Sequence, residues 1–167
     1  EPKTYMEKLL EEARKKRWAD DDLALVSYEK YLGICNGDKT YKDIGMKDET
    51  FAELGKWCQD KNLVQSEFEG LKKSVIEKLK DQIDDKLNKN ILTGVEGLLD
   101  KLGELAGAEE NAFITDRKNI LEEKKKLVAG EINKLELEHE ECKSERYLSI
   151  VDAWLCEGDA FLNAVGE

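Results

Sequence analysis

The chain has 167 residues, of which 38 are acidic and 27 basic, so its formal net charge at pH 7 is −11. This acidic excess opposes binding to nucleic acid and to anionic membrane surfaces, and it favours a basic partner if it favours any. No run approaches the ~20 apolar residues of a membrane-spanning helix, so we expect no membrane insertion. Hydrophobic residues make up 40% of the chain, which is enough for a folded core.

Composition and periodicity predict an all-α fold. The single proline is Pro2, and a proline inside a helix costs ~3 kcal/mol. Apolar residues recur at steps close to the helical period of about 3.6 residues. We therefore predict an elongated antiparallel helical bundle, with two long helices and about three short N-terminal helices, in a single domain over residues 1–167.

The N-terminal third predicts the short helices. Asp20, Asp21 and Asp22 supply an N-cap and first-turn acids, whose charge suits a helix N-terminus. Asn36-Gly37-Asp38 interrupts the helical pattern and begins a loop. We place helices at residues 3–18, 20–35 and 48–60, with the loop over residues 36–47.

Two long helices are predicted in the remainder of the chain. Ser66, with a glutamate three residues later, forms a capping-box pattern, and the helical period then continues over 66–105 with a bend near Asn88-Lys89-Asn90. A turn at 106–109 leads into a second period that extends over 109–157. Because the turn is short, the two long helices should lie antiparallel.

The candidate disulfide residues are Cys35, Cys58, Cys142 and Cys156. Their spacing favours two disulfides over a zinc ribbon or a thioredoxin-type motif, with reduced, buried thiols as the alternative. In antiparallel long helices, facing residues have numbers that sum to about 215, which pairs Cys58 with Cys156. Cys35 is then left for Cys142, which it can reach if the loop over 36–47 lets the second helix fold back. The rival is sequential pairing, which needs a break in the last helix because Cys142 and Cys156 lie ~21 Å apart on a straight helix.

The cysteines also indicate the cellular compartment in which the protein works. Disulfides persist in oxidising environments, so we expect a secreted, extracellular protein. The chain opens on Glu1 without an initiator methionine, as a mature secreted protein does after removal of its signal peptide, and as a truncated chain does too.

The sequence predicts no enzyme activity, no cofactor and no metal site. GxSxG, GxxxxGK[ST], GxGxxG and HExxH motifs are all missing from it. The single histidine, His139, would share a helix face with Cys142, but Cys156 would be too distant to join them at one zinc ion. The loop over 36–47 does not fit a calcium loop, because lysines occupy positions where oxygen ligands are required.

The candidate interface residues are three tryptophans, Trp18, Trp57 and Trp154. One interpretation places them in the core where the short helices dock. The other places them in a protein-binding surface, because aromatic residues dominate interface energetics.

We expect a secreted, non-catalytic binding protein that presents a rigid helical surface to a protein partner. Two alternatives stay open: a carrier that holds a lipid or another apolar small ligand in its core, and a structural coiled-coil-like dimer.

Overall fold

The computed structural model describes residues 1–145, and it describes side chains through residue 140. Within this range the regular structure is helical, which confirms the predicted all-α class. The helices are α1 Pro2–Lys16, α2 Asp21–Cys35, α3 Asp48–Gly55, α4 Lys61–Asn88, α5 Val95–Ala106 and α6 Asn111–Glu145. Short 3₁₀ turns occupy Lys39–Tyr41 and Gly107–Glu110. The first predicted long helix corresponds to α4, with 28 residues, and α5, the second corresponds to α6, with 35 described residues, and the three short N-terminal helices are α1, α2 and α3.

The chain divides into two compact units, Glu1–Asp81 and Gln82–Glu167, the second described as far as residue 145. Helix α4 contributes residues 61–81 to the first unit and residues 82–88 to the second. The single domain over 1–167 stays a prediction.

In the first unit, α1 and α2 are joined by a turn over residues 17–20 and pack together, with α3 against both. Pro2 lies at the start of α1, where a missing N–H costs no hydrogen bond. Asp20 caps α2 as predicted, because its Oδ1 accepts the N–H of Leu23 at 3.1 Å. The buried side chains of these two helices include Met6, Leu10, Ala13, Ala24, Tyr28 and Tyr31.

Helix α4 begins earlier than predicted. Asp60, rather than Ser66, is its cap, since the Asp60 carboxylate accepts the N–H of Leu63 at 3.2 Å. Helix α3 correspondingly ends at Gly55 and not near residue 60. Val64 is fully buried, so the earlier start brings one more apolar side chain into the core.

The predicted helix over 66–105 is divided into α4 and α5, at the place where we expected a bend. Asn90 adopts a φ of 56°, the N–H of Ile91 donates to the Lys86 carbonyl at 2.8 Å, and the N–H of Asn90 donates to the Leu87 carbonyl at 3.1 Å. These two bonds form a Schellman-type helix end, with asparagine in the left-handed position. Gly94, with a φ of 79°, then precedes α5.

In the second unit, the end of α4 runs parallel to α6, so the predicted antiparallel arrangement is found between α5 and α6 and not between α4 and α6. Arg117 donates to Asp84, which is 33 residues away, and Lys124 donates to Asn90, which is 34 residues away. A nearly constant separation between contacting residues is the mark of two parallel segments.

Helix α5 is antiparallel to α6 in the same unit. The Gly107–Glu110 turn joins them, and Lys125 of α6 reaches back to Glu96 at the start of α5 at 2.5 Å. The core between these helices is aliphatic and includes Ile83, Leu87, Val95, Leu99, Leu102, Ile114 and Leu121.

Cys35 is bonded to Cys58, with their Cα atoms 5.8 Å apart. The predicted pairings of Cys58 with Cys156 and of Cys35 with Cys142 are therefore wrong. They assumed that α3 and the long helix continue in one direction, whereas α3 packs back on α2 and brings Cys58 to the end of that helix. Cys156 and the side chain of Cys142 lie outside the described residues.

Candidate protein-binding surface

The first unit presents Trp18 at the corner between α1 and α2. Its side chain is 88% exposed. The chain reverses here because the N–H groups of Ala19 and Asp20 both donate to the Lys16 carbonyl, at 2.9 and 2.7 Å, and this tight turn directs Trp18 away from the core. The Arg17 guanidinium lies over the indole, 5.8 Å from the ring centroid, and so shields only one face of it.

Trp18 borders an open groove of about 420 Å³. Lys78 and Asp21 form an ion pair at 2.5 Å in the groove wall. The remaining lining residues are Arg17, Ala19, Leu71 and Ser74. Of these residues, Trp18 and Arg17 are of types that are enriched in protein interfaces, whereas alanine, aspartate, serine and lysine are depleted there.

A partly buried polar cluster, formed by Arg14, Tyr28 and Glu67, holds the helices around this corner. The Tyr28 hydroxyl donates to the Glu67 carboxylate at 3.0 Å, and Arg14 binds the same carboxylate. Burial is the main reason that the pKa of Tyr28 is raised, and its hydrogen bond to Glu67 adds to the effect. The pKa of Arg14 is raised chiefly by its hydrogen bonds to Glu67. These three side chains connect α1, α2 and α4 within the first unit.

Trp57 lies at the opposite end of α1 from Trp18. It follows α3, is 48% exposed and has Lys3 over its ring at 5.8 Å from the centroid. Because Lys3 belongs to the first turn of α1 and Trp18 follows its last turn, the length of that helix, ~22 Å, separates the two tryptophans. The structure therefore exposes both predicted residues but does not bring them together. Trp154 lies outside the described residues.

Ile44 is a surface residue that the sequence patterns did not single out. It is 106% exposed, at the tip of a turn closed by the Met46 N–H and the Asp43 carbonyl at 3.0 Å. Gly45 has a φ of 83°, a conformation that glycine adopts without strain. The only sequence signal for Ile44 was its position between an aspartate and a glycine in a predicted loop.

The turn that carries Ile44 is anchored through Asp43. Tyr5 and Lys30 both donate to the Asp43 carboxylate at 2.8 Å. The hydrogen bond from Lys30, followed by that from Tyr5, lowers the pKa of Asp43. Lys42 and Lys39 of the same loop bind Asp48 at the start of α3, and their hydrogen bonds lower its pKa to about 2. The charged residues of this loop thus hold its conformation.

A second open groove runs beside the disulfide, and a third lies between α5 and α6. Both contain charged side chains, among them Lys39 and Asp48 in the former and Asp100 and Lys118 in the latter. Through residue 140, no cluster of His, Cys, Asp and Glu side chains is arranged to hold a metal ion. None of the described helices is long and apolar enough to cross a bilayer.

Comparison with known proteins adds no relative: no family model, curated protein or solved structure matches the chain significantly.

Proposed function

We propose that the chain is a secreted, non-catalytic binding protein that uses the helical surface of its first unit to bind a protein partner, with Trp18 as the central contact. The observation that carries this proposal is the 88% exposure of Trp18 on the rim of a groove. Tryptophan is among the residues most enriched in binding hot spots, and burying its ring removes a large apolar area from water.

The rigidity of the surface supports the same function. The Asp20 cap fixes the turn that carries Trp18. The bonds of Tyr28 and Arg14 to Glu67 fix the helices on either side of that turn. A binding surface that is already ordered loses less conformational entropy when the partner docks.

Secretion is supported by the disulfide between Cys35 and Cys58, because such bonds persist in oxidising compartments. The net charge of −11 favours a basic partner through long-range attraction. The apolar-ligand carrier has less support, since the three grooves described above are open and bordered by charged side chains.

A competition experiment tests the proposal. The labelled full chain is titrated onto extracellular fluid proteins and onto intact cell surfaces, and saturable binding is displaced with unlabelled chain. We expect Trp18→Ala to compete about 30-fold more weakly, the effect of a hot spot worth about 2 kcal/mol.

Leu63→Ala is the matched control, because Leu63 belongs to the same unit and is 52% exposed. It should compete as well as the unchanged chain. A lack of saturable binding, or equal competition by Trp18→Ala, would contradict the proposal.

A further inference from the structure

Helix α2 ends in a Schellman motif at Asn36 and Gly37. The N–H of Asp38 donates to the Gly33 carbonyl at 2.9 Å, and the N–H of Gly37 donates to the Ile34 carbonyl at 3.0 Å. Gly37 has a φ of 74°, which a residue with a Cβ adopts only with strain. The helix end therefore requires this glycine, and Asn36 precedes it as the C-cap residue.

Asn36-Gly37 is the only asparagine–glycine pair in the chain. The side-chain carbonyl carbon of an asparagine can react with the backbone nitrogen of the next residue, and a Cβ on that residue obstructs the approach. Gly37 has no Cβ, and nothing lies within 4 Å of the position that a Cβ would take. Its nitrogen is thus sterically open to the Asn36 side chain.

The surroundings of Asn36 also suit this reaction. The residue is exposed and lines the open groove of about 710 Å³ beside the disulfide. The groove leaves the side-chain amide room to change rotamer. Water and hydroxide, which the reaction needs, reach the amide from solvent.

We propose that Asn36 is a site of spontaneous deamidation, in which a succinimide ring forms between its side chain and Gly37. The Gly37 nitrogen loses its proton to hydroxide and forms a bond to Cγ of Asn36. The side-chain nitrogen leaves as ammonia after it takes a proton from water, which restores the hydroxide. Water then opens the ring. Opening at Cγ gives aspartate, and opening at the backbone carbonyl gives isoaspartate, whose main chain runs through Cβ and Cγ and is longer by one atom.

One hydrogen bond of the helix end slows the reaction. Ring closure requires Asn36 to rotate away from its ψ of −5°, and this rotation breaks the bond from Gly37 to the Ile34 carbonyl. A bond in the last turn of a helix opens by local fraying, without unfolding of the rest. The folded chain should therefore be modified roughly five- to tenfold more slowly than the unfolded chain, the effect of one net backbone hydrogen bond.

The product alters the helix end that carries it. A carboxylate at residue 36 lies at the C-terminus of α2, where a negative charge is unfavourable. In isoaspartate, the additional main-chain atom also displaces Gly37 and Asp38 from the carbonyls that they bind. The start of the loop over 36–47 should then loosen. This site lies at the opposite end of α2 from Trp18 and does not depend on the proposed partner binding.

Mass spectrometry tests the proposal after the folded full chain is incubated in mildly alkaline buffer. The peptide that contains residue 36 should gain the mass difference between a carboxyl and an amide group. It should separate into two products of equal mass, one with aspartate and one with isoaspartate.

Asn62 is the matched internal control, because it is exposed on α4 but precedes Leu63. It should keep its amide over the same period. Asn36→Gln should also stay unmodified at residue 36, since the longer side chain closes a larger ring and does so more slowly.

The chain unfolded in guanidinium chloride provides the reference rate and should be modified at residue 36 roughly five- to tenfold faster than the folded chain. A folded chain that keeps the Asn36 amide while the unfolded chain loses it completely would overturn the proposal. Aspartate formed without isoaspartate would overturn it as well, because it would show direct hydrolysis without a ring.

Hydrogen exchange measures the consequence for the helix end. The N–H groups of Gly37 and Asp38 should exchange several-fold faster in the isoaspartate product than in the unmodified chain, because their bonds to the Ile34 and Gly33 carbonyls are lost. Equal exchange rates would contradict the loosened helix end.

Discussion

Glu67 accepts two hydrogen bonds from Arg14, at 3.1 Å from Nε and 3.0 Å from Nη2, so a single carboxylate of α4 is held in the fork of an α1 guanidinium. The hydrogen bonds from Arg14 are the main reason that the pKa of Glu67 lies below its ordinary value of 4.5. Because the carboxylate is ionised more readily in the folded chain than in the unfolded chain, it stabilises the fold above pH 4.5. This contribution is lost as the pH falls through the lowered pKa.

Glu67→Gln should therefore destabilise the chain at pH 7 and change its response to acid. We expect a loss of about 1–2 kcal/mol at pH 7, kept modest because solvent reaches the Arg14 side chain. Urea unfolding at pH 7 and at pH 3 measures the effect, and the difference from the unchanged chain should shrink at pH 3. An equal loss of stability at both pH values would show that the ion pair is not the cause of the loss.

Gly33→Ala should destabilise the first unit. A Cβ at this buried position in α2 would overlap the ring of Tyr41, so the 3₁₀ turn that carries Tyr41 must shift. We expect a loss of about 1–3 kcal/mol, the usual range for overpacking. Gly97→Ala in α5 is the control: nothing lies within 4 Å of its Cβ position, so the higher helix propensity of alanine should stabilise the chain by about 0.5–1 kcal/mol. Thermal unfolding of both variants distinguishes these effects.

Peptide mapping without reduction should recover a peptide that joins Cys35 to Cys58. Replacing both residues with serine should destabilise the chain by about 2–4 kcal/mol in urea, because the bond restricts the unfolded chain. The unchanged chain measured in reductant should show a loss of at least the same size. A peptide that joins Cys58 to Cys156 would contradict the pairing.

Trp18→Ala should leave stability within about 0.5 kcal/mol of the unchanged chain, because the ring is almost fully in solvent. Leu99→Ala, at a residue only 1% exposed, should cost about 2–5 kcal/mol through the cavity that it creates. Urea unfolding compares the two. A large loss for Trp18→Ala would place its ring in the core and remove the basis of the proposed function.

Local signals in the sequence predicted much of the fold. The Asp20 cap, the start of α3 at Asp48 and the end of α2 at Cys35 all follow from side chains next to the helix ends. The break at Asn90 was harder to predict as a helix end, because the apolar period continues on both sides of it and nothing nearby excludes a gentle bend. The direction in which a chain leaves such a break depends on tertiary packing.

The disulfide pairing and the candidate surface also depend on tertiary packing, which the sequence patterns do not show. Cys58 was assigned to Cys156 by a register that required one unbroken helix. Aromatic content alone also does not separate core from surface: Tyr28 and Tyr31 are fully buried, whereas Trp18 is exposed. The tyrosines lie on the face of α2 that carries Ala24, while Trp18 belongs to a turn that has no inward face.

The bond between Cys35 and Cys58 makes the intervening segment a closed covalent ring, from which Lys39 and Lys47 project into solvent. If a protease cuts the chain once after either lysine, the two pieces stay joined through sulfur and migrate as one molecule until they are reduced. The loop that carries Ile44 can thus be severed while both of its ends remain attached to the helices that hold it.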